Sequence, residues 1–262
     1  MSALSAGVAR EFKDLDGSIV TEYPVKASAQ IYQGGLVRVE AVPIAGGDTL
    51  NRGGGGMASR PHIVGYQAAG TILEVGSEVG DLKPGQRVVT VNAFGSHAEL
   101  RVVAARTAWP VPDGMDIKIA AAIPVPFGTA HECLFEFGRL KAGETVLVQA
   151  GASAVGIAAI QLAKQAGATV IATASSEARL AKLKPLGLDH GIDYARADVA
   201  QEIMRLTDNK GVNLVVDPVG GATLPSSLAS LAYRGRISLV GNAGREPQKV
   251  DVSSLMPRNR PL

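Results

Sequence analysis

Two short stretches hold residue types whose spacing suits chemistry on a phosphorylated ligand. The first is Ala150-Gly151-Ala152-Ser153-Ala154-Val155-Gly156, a run with almost no side-chain bulk. Gly151 and Gly156 take the outer places of a G-x-G-x-x-G pattern, and Ser153 stands at the middle one. Such a turn lets backbone come close to a pyrophosphate, while the first amides of the following helix face its negative charge. Taken alone, the same composition also suits close packing of a strand on a helix. The second stretch is Ala174-Ser175-Ser176, with Arg179 shortly after it and no acid at its start. An acid there would accept from both ribose hydroxyls of an unphosphorylated dinucleotide and would repel a 2′-phosphate. Hydroxyls can instead donate to that phosphate and a cation can neutralise it, so Ser175, Ser176 and Arg179 favour NADPH over NADH. Ser175 or Ser176 also suits capping of the next helix, and the two roles are compatible.

The surrounding pattern decides between the two readings of the glycine turn. Val146-Leu147-Val148 is a continuous apolar run, as a parallel strand buried on both faces requires. After the turn, Ile157, Ile160, Leu162 and Ala163 recur at helical spacing. Strands and helices then alternate: strand 145–149, helix 154–166, strand 168–173, helix 177–186, strand 190–193, helix 197–207, strand 213–217, helix 223–232 and strand 236–240. This alternation predicts right-handed crossovers and a doubly wound parallel sheet, within which the turn reads as a phosphate site.

Residues 1–118 are different in texture. Short apolar or alternating runs at Ser18–Val20, Leu36–Ala41, Ala69–Val75, Arg87–Val91 and Ala98–Val103 predict a β-rich barrel or sandwich. Lys83-Pro84-Gly85-Gln86 suits a type II turn. Gly53–Gly56 is a four-glycine run, either a loop over a site or a linker within the domain. A helix over 116–122, an interruption at Pro124 and Pro126, and a second helix over Thr129–Leu140 bridge to the alternating part. The expected domains are therefore 1–118, β-rich, and 119–262, dinucleotide-binding.

Composition excludes several classes. The net charge of +2 comes with no lysine and arginine cluster, which argues against nucleic acid. Cys133 is the one cysteine, so neither a disulfide framework nor a cysteine-rich zinc site can be built, and a reducing compartment is expected. The amino-terminal stretch becomes charged without a signal-peptide core, and no apolar run approaches spanning length. A cytoplasmic location and no membrane partner follow as expectations.

At this breadth the chain resembles the medium-chain dehydrogenase/reductase superfamily, and within it the zinc-independent quinone oxidoreductases. The resemblance rests on VRVEAVPIAGGDTLNR (37–52), VGYQAAGTILEVGSEVGDLKPGQRVV (64–89), AAAIPVPFGTAHECL (120–134), AGASAVGIAAIQLAKQAGATVIATASS (150–176), GLDHGIDY (187–194), GVNLVVDPVGG (211–221) and GRISLVGNAG (235–244). It implies a GroES-like β domain followed by a Rossmann domain. It also implies an NADPH-dependent, metal-independent transfer of hydride to a quinone or an activated alkene in the cleft between them. Carried over by position, Thr129 would sit by the nicotinamide, and Ser153, Ala154 and Val155 would line the pyrophosphate turn. Ser175, Ser176, Arg179 and Tyr194 would surround the 2′-phosphate; Val219, Gly241 and Asn242 would flank the ribose and nicotinamide. In the segment where the zinc-dependent branch has Gly-His-Glu, this chain has Gly65-Tyr66-Gln67, and His62, His97, His131 and His190 are scattered. Without metal, the acceptor must be polarised by hydrogen bonds and by the developing nicotinamide charge.

Departures from the family pattern support a second reading. Ala45 stands where relatives usually carry Asn, and Pro126 and Phe127 where they often carry Asn and Tyr. The resembled enzymes continue beyond the segment matching 251–260, into a sixth Rossmann strand and further elements of the first domain. A sheet of order 3-2-1-4-5-6 without its last strand would leave Arg236–Val240 as an apolar edge, open to pairing, which leaves a homodimer open. The alternative is thus a shortened, catalytically impaired or regulatory dinucleotide-binding member of the family, in which the Rossmann sheet is incomplete at its carboxyl end.

Overall fold

The alternating and the continuous apolar patterns build two different sheets. A computed structural model describes residues 33–52 and 62–247 and the backbone of 10–13 and 19–22. The chain divides into two units, Met1–Val125 and Pro126–Leu262.

In the first unit β1 (Arg10–Lys13) and β2 (Ile19–Glu22) form an antiparallel pair. There follow β3 (Gly34–Ala41), α1 (Gly46–Arg52), β4 (Gln67–Val75), β5 (Arg87–Val91), β6 (Leu100–Ala104), β7 (Ala108–Pro110) and α2 (Ile117–Ala121). Strands β3 to β7 make one antiparallel sheet of order β6-β3-β4-β5-β7. Period-2 alternation turns Val88 and Thr90 of β5, and Arg101 and Val103 of β6, inward. Val37, Ile72, Leu82, Val88, Val103 and Ala108 form the core. The Lys83–Gln86 turn closes with a bond from Gln86 N–H to Lys83 O of 3.1 Å and Gly85 at φ 86°, as its Pro-Gly pair predicts. The short strands β1 and β7, of four and three residues, are too brief to show a period, and the sequence reading passes over them. Ser18 and the Gly53–Gly56 run lie outside the described residues.

The first unit ends later than residue 118 because α2 packs on β3 and β4. Asp116 starts that helix by accepting from the Lys118 and Ile119 amides, at 2.7 and 3.2 Å. The next helix, α3, runs Pro124–His131, so the prolines begin it rather than interrupt it. Both sit in the first turn, where an amide has no intrahelical acceptor to lose. A π-type turn over Glu132–Glu136 follows, with Phe137 N–H bonded to Glu132 O at 2.9 Å. The expected helix over Thr129–Leu140 is thus a helix that widens and stops early.

Beyond it come β8 (Thr145–Val148), α4 (Ala154–Gln165), β9 (Thr169–Ala174), α5 (Glu177–Leu183), β10 (His190–Asp193), α6 (Val199–Leu206), β11 (Val212–Asp217), α7 (Leu224–Ala229) and β12 (Leu231–Leu239). The sheet is parallel, as the crossover argument predicts, and its order is β10-β9-β8-β11-β12. Val146, Leu147 and Val148 are all fully buried because adjacent residues enter opposite layers. Val146 and Val148 pack with Ile160 of α4, whereas Leu147 packs in the layer of Ile203 and Leu228 from α6 and α7. The last crossover differs from expectation: α7 ends at Ala229, and β12 pairs Leu231 with Val212 before a register shift brings Arg236 opposite Leu214. Arg234, at φ 58°, lies in the segment that absorbs the shift. Among the described residues β12 pairs only with β11, so its other side is the edge of the sheet. Among them, too, no helix is long and apolar enough to cross a membrane.

Candidate dinucleotide site

The turn after β8 is held from both neighbouring strands. Gln149 N–H bonds Val216 O at 3.0 Å, and Gly151 N–H bonds Thr173 O at 2.8 Å. Between them Ala150 adopts φ 49°, a left-handed conformation at a non-glycine residue. The Ser153 hydroxyl caps α4 by accepting from Gly156 N–H at 3.0 Å, and Ser153 O accepts from Ile157 N–H at 2.8 Å. The amides of Ala154 and Val155 open this twelve-residue helix with no protein acceptor among the described residues. Ala154 is exposed and Val155 half-buried against the core. Two free donors at the positive end of a helix dipole, on a backbone without bulk, fit a pyrophosphate.

The end of β9 lies beside this turn. Ala174 is buried, Ser175 and Ser176 are half-buried, and Arg179 is exposed. Ser176 caps α5 by accepting from Arg179 N–H at 3.4 Å, so its capping role is realised. Arg179 has no carboxylate partner among the described residues, and the acid in the first turn of α5, Glu177, is exposed. Tyr194 is tied to the same strand end through its N–H to Ala174 O, at 3.2 Å, and leaves its side chain 54% exposed. The structure thus gathers Ser175, Ser176, Arg179 and Tyr194 around one exposed strand end. Cationic and hydroxyl groups fit a 2′-phosphate there.

The loops after β11 and β12 meet as well. Gly244 N–H bonds Val219 O at 3.0 Å and Ala243 N–H bonds Pro218 O at 3.2 Å, which places Gly241 and Asn242 beside Val219. The Asn242 side chain donates to Glu246 O at 2.9 Å. Thr129, on α3, lines a cavity with Cys133, Phe137 and residues Ile237–Val240 of β12 and its end. The loops after β11 and β12, and the Val240 side of this cavity, lie at the carboxyl ends of their strands, where open α/β sheets bind ligands.

A second set of residues at these strand ends is buried, and the sequence reading gave it no role. Gln149, Thr173, Asp217 and Ser227 are each no more than 1% exposed. The Asp217 carboxylate accepts from Val219 and Gly220 N–H, both at 3.0 Å, and from the Ser227 hydroxyl at 2.8 Å; the Thr223 hydroxyl lies 2.9 Å from each of its oxygens. Neutral donors therefore hold a wholly buried charge. The available signal is a polar residue at or next to the end of an apolar run: Gln149 in VLVQ, Thr173 in VIATA and Asp217 in NLVVD.

Among the described residues no group of three histidine, cysteine, aspartate or glutamate side chains could hold a metal ion. Cys133 is buried, and burial, with the Glu132 charge, pushes its thiol further from the thiolate a metal needs. His131 meets Phe135 in a tilted ring contact at 4.9 Å, His62 meets Phe94 likewise at 5.6 Å, and His97 lies 3.7 Å from Asp48.

Known families and structures match both units. The family described as alcohol dehydrogenase GroES-like domain matches residues 33–113, and the one described as zinc-binding dehydrogenase matches residues 154–262. The chain is 36% identical over 200 residues to quinone oxidoreductase-like protein 2 of Rattus norvegicus, across 76% of this chain. It spans 57% of that relative's length. Among solved structures, a quinone oxidoreductase of Pseudomonas syringae superposes with a TM-score of 0.84 at 31% identity, covering 97% of this chain and 82% of that one. The quinone oxidoreductase of Escherichia coli, solved with NADPH, also gives 0.84, at 27% identity, over 96% of this chain and 78% of its own.

Proposed function

Because the chain belongs to the medium-chain dehydrogenase/reductase superfamily, among its quinone oxidoreductase-like members, we propose that it is an NADPH-dependent, metal-independent reductase of quinones or α,β-unsaturated carbonyls. The observation that carries this reading is the β9 end, where Ser175, Ser176 and Arg179, which has no carboxylate partner among the described residues, stand in place of an acid. The bound dinucleotide supplies a hydride, which a conjugated acceptor takes up together with a proton. The chain's own part is to bind and orient. The Ala154 and Val155 amides carry the pyrophosphate, and Arg179 with the two serines carries the 2′-phosphate. Thr129, Val219, Gly241 and Asn242 border the nicotinamide end.

Arg179→Ala should then weaken NADPH by about tenfold or more, the loss of one charge-assisted phosphate contact, and change NADH by less than twofold. Titration followed by reduced-nicotinamide fluorescence reads both constants, and equal losses would remove Arg179 from the phosphate site. Activity is tested by NADPH oxidation with ortho- and para-quinones and enones. Tight NADPH binding without turnover across that panel would overturn the reductase reading in favour of a cofactor-binding protein without catalysis.

A further inference from the structure

The two cofactor-facing loops of the Rossmann unit are joined beneath the surface by one oriented chain of hydrogen bonds. It starts at the Asp217 carboxylate, whose Oδ2 accepts from the Ser227 hydroxyl at 2.8 Å. The Ser227 oxygen accepts in turn from Gln149 Nε2 at 3.1 Å. At the other end of the same amide, Gln149 Oε1 accepts from the Thr173 hydroxyl at 2.8 Å, and Thr173 Oγ1 accepts from Ala150 N–H at 3.1 Å. Ala150 is the left-handed residue that opens the pyrophosphate turn. On the far side, Asp217 Oδ1 fixes the Val219 and Gly220 amides, in the loop that faces the nicotinamide end.

Each hydroxyl in this chain has only one proton, so the direction of each bond is set by the next. Asp217 can only accept, which orients Ser227; Ser227 must then accept from Gln149, which fixes the amide flip; the amide oxygen then draws the Thr173 proton and leaves the Thr173 lone pairs for Ala150. Buried, the Gln149, Thr173 and Ser227 side chains have no other partner among the described residues, so loss of one of these links leaves the next group unsatisfied; Asp217 alone keeps a second hydroxyl, that of Thr223.

We infer that Gln149, Thr173, Ser227 and Asp217 form a positioning relay that locks the pyrophosphate turn and the 218–220 loop in a common geometry, so that the two halves of a dinucleotide meet a pre-set spacing. The cofactor half of this inference rests on the proposed NADPH binding; the coupling of the two loops does not.

The test uses Thr173→Val, which keeps the shape and removes the hydroxyl, Thr173→Ser, which restores it, and Ser227→Ala. Without any ligand, amide hydrogen exchange at Val219 and Gly220 should speed up by about tenfold in Thr173→Val, although residue 173 bonds neither amide. It should return to the wild-type rate in Thr173→Ser. With NADPH, Thr173→Val and Ser227→Ala should each raise Kd by about five- to tenfold, and the double variant should lose no more than the worse single one, because both cut the same chain. Unchanged exchange at 219 and 220 in Thr173→Val overturns the relay, as do single losses that multiply in the double variant. Should Thr173→Val fail to fold, exchange in Ser227→Ala at Ala150 is read instead, and no change there overturns the relay equally. A wild-type chain that binds no NADPH sinks the functional proposal while the exchange result still stands or falls by itself.

Discussion

Gly156→Ala is expected to raise the dissociation constant for NADPH by about 100-fold while leaving a folded protein, a loss on the scale of an ångström-sized misplacement at a binding site. A β-carbon at this position would stand 2.5 Å from Ala150 O and 2.7 Å from both Gly151 Cα and Gly151 O. These are backbone atoms of the turn and cannot rotate away as a side chain would. Nor can the turn yield cheaply toward the sheet, since Gly151 N–H is bonded to Thr173 O and Ala150 N–H to Thr173 Oγ1. The turn must therefore move outward, into the space a pyrophosphate would use, carrying the Ala154 and Val155 amides out of line. Crowding should cost about 1–3 kcal/mol of stability, so thermal unfolding is measured beside the cofactor titration. Binding within twofold of the wild type would show that the turn does not receive the dinucleotide.

The second large effect is expected in stability. Arg236→Leu should lower the unfolding free energy by about 2–3 kcal/mol at pH 7, the loss of a partly exposed, multiply bonded ion pair with its carbonyl contacts. Arg236 donates to both Glu144 oxygens, at 2.9 and 2.7 Å, to Asn213 O and Arg139 O, both at 3.0 Å, and to Gly138 O. One side chain thereby ties the edge strand β12 to β11 and to the connection that leads into β8. The leucine would fill the stem volume but take the guanidinium from those carbonyls and leave the carboxylate with the Lys141 N–H alone.

The same pair makes the loss depend on pH. Burial pushes the Glu144 carboxyl upward, but the hydrogen bonds from Arg236 and from Lys141 N–H, with the charges of both residues, outweigh it and hold the group below its ordinary 4.5. A carboxylate whose folded pKa is depressed adds stability above its unfolded pKa, and this is lost as pH falls through the folded value. The gap between wild type and Arg236→Leu should therefore be widest near neutrality and narrow as pH falls below 4.5. Urea denaturation at pH 7 and at pH 3.5 measures it, and a gap that does not shrink would show that Glu144 is not the group that titrates.

The parallel sheet was legible because its strands are buried on both faces and must be continuously apolar, while the intervening helices carry a different period. Strand order was not legible in that pattern, which is compatible with more than one doubly wound order; the pairing of β8 with both β9 and β11 decides it. Where local signals compete, the sequence misled. Pro124 and Pro126 read as an interruption, yet they initiate α3, since whether a proline breaks or starts a helix depends on which amides the rest of the fold leaves free. The start of β12 five residues before Arg236 is likewise invisible locally, being set by pairing with Val212 across a register shift.

By itself, the sequence determined the two sheet types, the small-residue turn at 150–156 and the absence of an acid at the end of β9. All of these depend on residue type and spacing within one short segment. Only tertiary structure decided that Tyr194 and Asn242 lie at the same ends of the strands as that turn, and that Gln149, Thr173, Ser227 and Asp217 meet beneath it. Those four residues are distant in sequence, and each reads locally as a stray polar group in an apolar run. Hydrogen bonds that bridge three strands and a helix are fixed by the direction of donors and acceptors in space, and spacing along one chain carries no record of it.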